Sequence, residues 1–187
     1  IKQENDIKYI VASGSLPPGV PPNVYTLLSD IAKKKKAKLI VDTSGDALKQ
    51  AVSAGVYLIK PNLNELASLA HMYSVQPGKA EQVARKIIHN YPVEVIVVSL
   101  GKAGALLVTR SEVYKAVPPA TEVKSTVGAG DSMVAGIVYS FSKGKSPQEA
   151  LDYGVACGTA ATMNPGTELC KKEDAEMLLQ KMMQVQV

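Results

Sequence analysis

Short runs of apolar residues alternate along this chain with longer amphipathic segments. The runs predict buried strands at Tyr9 to Ala12, Leu39 to Val41, Tyr57 to Ile59 and Val93 to Leu100. The amphipathic segments predict helices at about 22–36, 46–54, 63–72 and 79–91. Strands that alternate with helices in this way indicate a mostly parallel sheet with helices on both faces.

The order of the elements changes after Leu100. Residues 105–109 and 113–117 predict a hairpin or a pair of edge strands, and helices are expected at about 130–142, 147–163 and 172–184. Pro147 suits the first turn of the second of these helices, with Ser146 as its N-cap. Since no linker, repeat or low-complexity tract interrupts the pattern, we predict one α/β domain over residues 1–187, three-layered and Rossmann-like.

Composition is that of an ordinary globular protein, with 46% hydrophobic and 20% charged residues in 187. No apolar stretch has the length of a membrane span and no signal peptide is visible, so a cytoplasmic protein is expected. Cys157 and Cys170 have no second pair and no nearby histidine, which favours reduced structural thiols over zinc. The first residue is Ile1, not Met, which suggests a piece of a longer protein.

The net charge of +4 comes most densely from Lys33 to Lys36, at the end of a predicted helix. Cations there complement the helix dipole, and a solvated helix end is the favoured interpretation. The chain has no Trp and one Phe, so it offers little aromatic surface for stacking bases. Nucleic acid is therefore not expected as a partner.

The segment Ser125 to Ser132 carries the strongest chemical signal. It places Gly128, Gly130 and Asp131 where a loop enters an apolar helix. The first N–H groups of a helix lack internal partners and lie at the positive end of its dipole, so they suit a phosphate or an oxyanion. A carboxylate among these donors can accept a proton from an attacking hydroxyl, as phosphoryl transfer to an alcohol requires. A simple helix cap is the alternative and is about equally favoured by this segment alone.

Three more loops follow predicted strands and should lie at the edge of the sheet where α/β proteins bind ligands. Ser13 to Gly19 holds two hydroxyls and permissive glycines, or it is only a strand-to-helix turn. Ser99 to Gly104 has two glycines three residues apart, which suit the approach of a ligand or a tight β-turn.

The loop Lys60 to Glu65 has two interpretations as well. Lys60 can reach a phosphate, and Asn62 and Glu65 lie one helical turn apart and can hold a hydrated Mg²⁺. The same two residues are also the N-cap and N3 residues of a capping box. The four loops together favour a binding site more strongly than any one of them.

These motifs resemble those of the PfkB (ribokinase-like) sugar kinases. Val127 to Ser132 is similar to the family's second signature, Asn62 with Glu65 to its Asn-x-x-Glu magnesium motif, and Ser99 to Gly104 to its nucleotide loop. The likeness runs in order from about Tyr9 to Leu179. Within the family, Ser13 to Gly19 and Val41 to Gly45 resemble the branch that phosphorylates hexose phosphates.

The resemblance implies a role for each matching residue. Asp131 would be the general base, and the backbone of Gly128, Ala129 and Gly130 would form the anion hole. Asn62 and Glu65 would hold Mg²⁺ through water, and Ser15 would contact the sugar together with Asp131. The implied nucleotide site comprises Lys60, Asn62, Ser99, Gly101, Gly104, Val123, Thr126, Val155 and Thr159. Some members also bind potassium through loop oxygens, which here correspond to Ser125, Val127, Ala161, Asn164, Gly166 and Glu168.

The implied reaction is ATP- and Mg²⁺-dependent phosphorylation of a sugar phosphate in glycolysis or related carbohydrate metabolism. Fructose 6-phosphate is the favoured acceptor, giving fructose 1,6-bisphosphate, with tagatose 6-phosphate and fructose 1-phosphate as alternatives. A non-catalytic nucleotide- or sugar-binding module is the rival from another class, although binding alone does not require the base Asp131.

The resemblance covers about the last three fifths of such a kinase. The missing region would supply a lid, sugar-binding residues and the contacts of a homodimer. We therefore expect this chain alone to be a poor kinase, because lids exclude water and complete catalytic sites.

Overall fold

The computed structural model describes residues 7–21 and 23–185. Its strands are β1 Tyr9–Ser13, β2 Lys38–Asp42, β3 Val56–Ile59, β4 Val93–Ser99, β5 Ala105–Val108 and β6 Val113–Ala116. Its helices are α1 Val24–Lys35, α2 Gly45–Ala54, α3 Leu63–Leu69, α4 Ala80–Asn90, α5 Ala129–Ser142, α6 Pro147–Thr162 and α7 Lys172–Val185. Short 3-10 turns cover Pro77–Lys79 and Gly101–Ala103.

The six strands form one sheet in the order β1-β2-β3-β4-β5-β6. β1 through β4 are parallel, with Ser13 opposite Asp42, Val41 opposite Ile59 and Ile59 opposite Ile96. Each parallel step requires a crossover, and α1, α2 and α4 each lie in one of the three crossovers. The α/β fold predicted from the alternating pattern is confirmed.

Burial explains why the central strands are continuous apolar runs. Ile40, Leu58, Ile59 and Ile96 are 0% exposed, as expected for strands covered on both faces. β1 has no buried residue and lies at the edge of the sheet. The Lys33–Lys36 run is exposed at the end of α1, as predicted for a solvated helix end.

The residues cluster in two compact units. One comprises the chain up to Val98 together with Val108–Glu112, and the other comprises Ser99–Leu107 and the chain from Val113 onwards. The prediction of a single functional domain is not tested by this division and stays a prediction. In the described residues no helix is long and apolar enough to cross a bilayer.

In the second unit, α5 is held against α6 by close helix packing. A Cβ on Gly154 would lie 2.5 Å from Cγ1 of Ile137 and 3.0 Å from the carbonyl oxygen of Met133. Ile137 is itself 0% exposed. A larger residue at position 154 would push the helices apart, so this glycine fixes the place of α5, whose first turn carries Asp131.

Ser146 is the N-cap of α6 and Pro147 its first residue, as predicted, and the structure adds a capping box with Glu149. The Ser146 hydroxyl accepts from the Glu149 N–H at 3.3 Å, and the Glu149 carboxylate accepts from the Ser146 N–H at 2.9 Å. Lys145 Nζ donates to the same carboxylate at 2.8 Å. These hydrogen bonds lower the pKa of Glu149 from 4.5 to about 2, and the bond from Lys145 makes the largest contribution.

We expect Glu149→Gln to destabilise the protein in a pH-dependent manner. A carboxyl group whose pKa is depressed on folding stabilises above its unfolded pKa, here 4.5, and loses that contribution as the pH falls through about 2. The urea midpoints of wild type and variant should therefore differ fully at pH 6 and converge as the pH falls from 4.5 towards 2. The control is Glu94→Gln, on a strand and remote from any helix start. If the urea midpoints of wild type and Glu149→Gln differed equally at pH 6 and pH 3, the depressed pKa of Glu149 would be contradicted.

Candidate active site

The start of α5 presents a carboxylate in the first turn of a helix. Gly128 is the N-cap, no side chain makes a cap hydrogen bond there, and Asp131 is the third helical residue. The Asp131 side chain is exposed rather than turned into the core. The α5 helix is 14 residues long, so its backbone dipole places partial positive charge at this turn. Asp131 is thus not the N-cap residue that the simpler alternative requires.

Gly128 has two reasons to be glycine. Its φ of +76° lies in the left-handed region, which L side chains rarely adopt. A Cβ at this position would also lie 2.8 Å from Cδ2 of Leu169. Leu169 was not singled out from the sequence, and nothing in its local pattern indicates a contact with a loop 41 positions earlier.

The segments around Ser125 and Gly166 are neighbours. Ser125 Oγ donates to the Gly166 carbonyl at 2.6 Å and accepts from the Val127 N–H at 3.2 Å. The backbone N–H groups of Lys124 and Ser125 both donate to the carbonyl of Thr162, at 2.8 and 3.3 Å. The structure therefore brings together the two segments that carry the expected potassium ligands.

The oxygens of these segments suit a monovalent cation in type, because carbonyl and hydroxyl oxygens replace the hydration shell of potassium. Ala161 accepts from the Asn164 N–H at 3.2 Å, and Asn164 is buried. Glu168 differs, since its exposed carboxylate lies 3.7 Å from Lys171 Nζ. A potassium contact by Glu168 through its backbone carbonyl stays a prediction.

The expected nucleotide residues of the second unit are spread over three elements. Ser99 ends β4, Gly101 begins a 3-10 turn, and the Leu100 N–H donates to the Gly104 carbonyl at 2.8 Å. Val123 and Thr126 are exposed, whereas Val155 is 1% exposed within α6. Thr159 Oγ1 donates to the Val155 carbonyl at 2.8 Å. Nucleotide contact by these residues stays a prediction.

In the first unit, Lys60 pairs with Asp42. Lys60 Nζ lies 3.2 Å from Asp42 Oδ1, and their side chains are only 9% and 16% exposed. The pairing follows from the parallel register of β2 and β3, in which Val41 lies opposite Ile59. The residues that follow these two, Asp42 and Lys60, are therefore side by side. Asp42 was not assigned a role from the sequence. An aspartate at the end of one buried strand and a lysine directly after the neighbouring strand would, however, have indicated an ion pair.

Asn62 and Glu65 form the capping box that was the alternative interpretation of their spacing. Asn62 Oδ1 accepts from the N–H groups of Asn64 and Glu65, both at 2.9 Å, and Glu65 Oε2 accepts from the Asn62 N–H at 2.8 Å. Capping orients the two side chains at the start of α3. It does not exclude magnesium, since Mg²⁺ keeps several waters and needs one or two carboxylates.

Ser15 lies in the loop after β1 and is exposed. That loop is anchored beside the end of β2, because the Gly14 N–H donates to the Asp42 carbonyl at 2.9 Å. A sugar contact by Ser15 stays a prediction.

Comparisons with known proteins show the family to which the chain belongs. The model of the pfkB family of carbohydrate kinases matches residues 2–174. The chain is 41% identical over 170 residues to the ATP-dependent 6-phosphofructokinase isozyme 2 of Escherichia coli (strain K12), covering 90% of this chain and 55% of that protein. It is 34% identical over 177 residues to the 1-phosphofructokinase of Bacillus subtilis (strain 168), covering 95% of this chain and 57% of that protein.

Among solved structures, the crystal structure of phosphofructokinase-2 from Escherichia coli in complex with potassium superposes with a TM-score of 0.88 and 40% identity. The superposition covers 94% of this chain and 57% of that one. The chain thus spans about half the length of the relatives that it matches.

Proposed function

Because the chain belongs to the pfkB family of carbohydrate kinases, we propose that it forms the ATP-binding and base-bearing part of an ATP-dependent sugar-phosphate kinase. The observation that carries this proposal is the start of α5. There an exposed Asp131 follows Gly128 to Gly130, a turn in which no side chain makes a cap hydrogen bond. A binding module requires the turn but has no use for the carboxylate.

Asp131 would accept the proton of the sugar hydroxyl as that oxygen attacks the terminal phosphorus of ATP. The backbone N–H groups of Gly128, Ala129 and Gly130 would stabilise the charge on the transferred phosphoryl oxygens. Positioning and charge stabilisation account for most of the acceleration in reactions of this class.

Magnesium would be held through water by Asn62 and Glu65, whose capping bonds already fix their rotamers. When bound, the ion supplies positive charge that neutralises the phosphates. The Ser125 and Gly166 segments are proposed to hold potassium, in keeping with the potassium complex of the superposed phosphofructokinase-2.

Fructose 6-phosphate is the acceptor that we propose, with phosphorylation at its C1 hydroxyl. The higher identity to a 6-phosphofructokinase than to a 1-phosphofructokinase supports this choice. Tagatose 6-phosphate and fructose 1-phosphate are the competing acceptors. A homodimer of the complete protein and activity in glycolysis are part of the same proposal.

A panel assay tests the function. Purified 187-residue protein is titrated with ATP and Mg²⁺ by calorimetry, and ADP release is then measured with each of the three sugar phosphates. We expect saturable ATP binding, and slow ADP release that is fastest with fructose 6-phosphate, since the chain spans about half of an active relative. ATP binding without any sugar-dependent ADP release, in this chain and in any longer form of it, would favour the binding module. Absence of ATP binding would contradict both the kinase and a nucleotide-binding module.

A further inference from the structure

A long hydrogen bond and two glycines leave the turn Gly128 to Gly130 conformationally free. Gly128 is the N-cap of α5, and no side chain makes a cap hydrogen bond there. The Ala129 N–H donates to the Thr126 carbonyl at 3.4 Å, which is longer than an ordinary N–H···O bond. Glycines at positions 128 and 130 allow the backbone more conformations than other residues would. The geometry of the turn therefore depends on the residues that pack against it.

Two residues from later in the chain limit this freedom. Cδ2 of Leu169 lies 2.8 Å from the position that a Cβ on Gly128 would occupy, so it packs directly against the Cα of that glycine. A Cβ on Gly158, which is buried in α6, would lie 3.0 Å from the Ala129 carbonyl oxygen. The backbone of α6 is therefore also in close contact with the turn. Of these two residues, Leu169 is the one that provides a side chain.

Leu169 is anchored through its backbone, although its side chain is 58% exposed. Its carbonyl accepts a hydrogen bond from Nδ2 of Asn164 at 3.0 Å, and Asn164 is buried just after the end of α6. The same amide nitrogen donates to the Ala160 carbonyl at 3.4 Å. The leucine is thus held in place from α6, while most of its side chain contributes nothing to the core. Its replacement should therefore affect the turn more than the stability of the fold.

On the basis of the proposed kinase function, we propose that Leu169 is a positioning residue of the anion hole. Backbone donors stabilise a transition state best when they lie about 2.7–3.1 Å from the oxygen on which charge develops. By restricting Gly128, Leu169 keeps the N–H groups of Gly128, Ala129 and Gly130 directed towards the transferred phosphoryl group. A leucine side chain has no hydrogen-bonding atom, so it acts through the turn and not on the phosphate itself.

Leu169→Ala removes the contact, and Leu27→Ala is its matched control, since Leu27 lies in α1 and is 57% exposed. ADP release is measured with ATP, Mg²⁺ and fructose 6-phosphate, in this chain and in any longer form of it. Leu169→Ala should lower kcat about 10- to 100-fold, because small misplacements at a reacting centre have effects of this size, while KM for ATP stays within about twofold. Leu169→Met should restore most of the rate, since methionine fills a similar volume. The urea midpoints of the two alanine variants should be alike.

Nuclear magnetic resonance relaxation tests the rigidity of the turn without any turnover. The backbone order parameters of Gly128 and Gly130 should be about 0.85 in wild type and in Leu27→Ala, and should fall towards about 0.6 in Leu169→Ala. Equal order parameters in the two alanine variants, or equal kcat, would overturn the proposal. So would a raised KM for ATP at unchanged kcat, which would make Leu169 a nucleotide contact. If wild type releases no sugar-dependent ADP, the kinase function fails, whereas the order parameters still decide whether Leu169 fixes the turn.

Discussion

Replacement of Asp131 by Asn should lower kcat/KM by about 10²–10⁴-fold in an active kinase that carries this chain, the range attributed to a positioned general base. The amide retains the shape of the side chain but cannot accept the proton of the sugar hydroxyl. Affinity for ATP should be unchanged or higher, because one negative charge is removed beside the phosphates at the start of α5. Steady-state kinetics and calorimetric titration with ATP and Mg²⁺ measure the two quantities.

Asp174→Asn is the matched control for this substitution. Asp174 occupies the third position of α7, as Asp131 does in α5, so both replacements remove a similar interaction with a helix dipole. The control should change turnover less than twofold. Comparable losses in the two variants, or full turnover by Asp131→Asn, would contradict the assignment of the base.

Replacement of Lys60 by Met should lower the free energy of unfolding by about 3 kcal/mol, because it removes one partner of the largely buried ion pair between Lys60 and Asp42. The double variant Asp42→Asn/Lys60→Met should recover much of this loss, since neither member of the pair is then charged. Urea unfolding of the four proteins gives the coupling energy through a double-mutant cycle.

Lys49→Met provides the comparison for Lys60. It breaks a pair of similar length, Lys49 with Asp46 at 3.0 Å, but the two side chains are 45% and 84% exposed. Exposed pairs contribute about 0–1 kcal/mol, so this variant should remain close to wild type. If Lys60→Met lowers the free energy of unfolding no more than Lys49→Met does, the buried pair does not stabilise the fold in the way we infer.

The end of α3 could not be predicted from the local pattern of apolar residues. The apolar pattern predicted a helix over about 63–72, but the helix ends at Leu69 because His71 adopts a left-handed φ of 55° and the Met72 N–H bonds back to the Ala67 carbonyl. Histidine seldom marks such an end, which glycine usually does. By contrast, Ser146 and Pro147 predicted the start of α6 correctly, because an N-cap and a first-turn proline act only on the adjacent residues.

The sequence by itself determined the alternation of elements, the parallel fold and the placement of Asp131 in the first turn of a helix. All of these depend on residues within one or two turns of each other, where periodicity and capping act. Only the tertiary structure placed Asp42 beside Lys60 and Leu169 against Gly128. Those contacts depend on strand register and on the packing of helices, which are fixed by burial of the whole core rather than by any short stretch of chain.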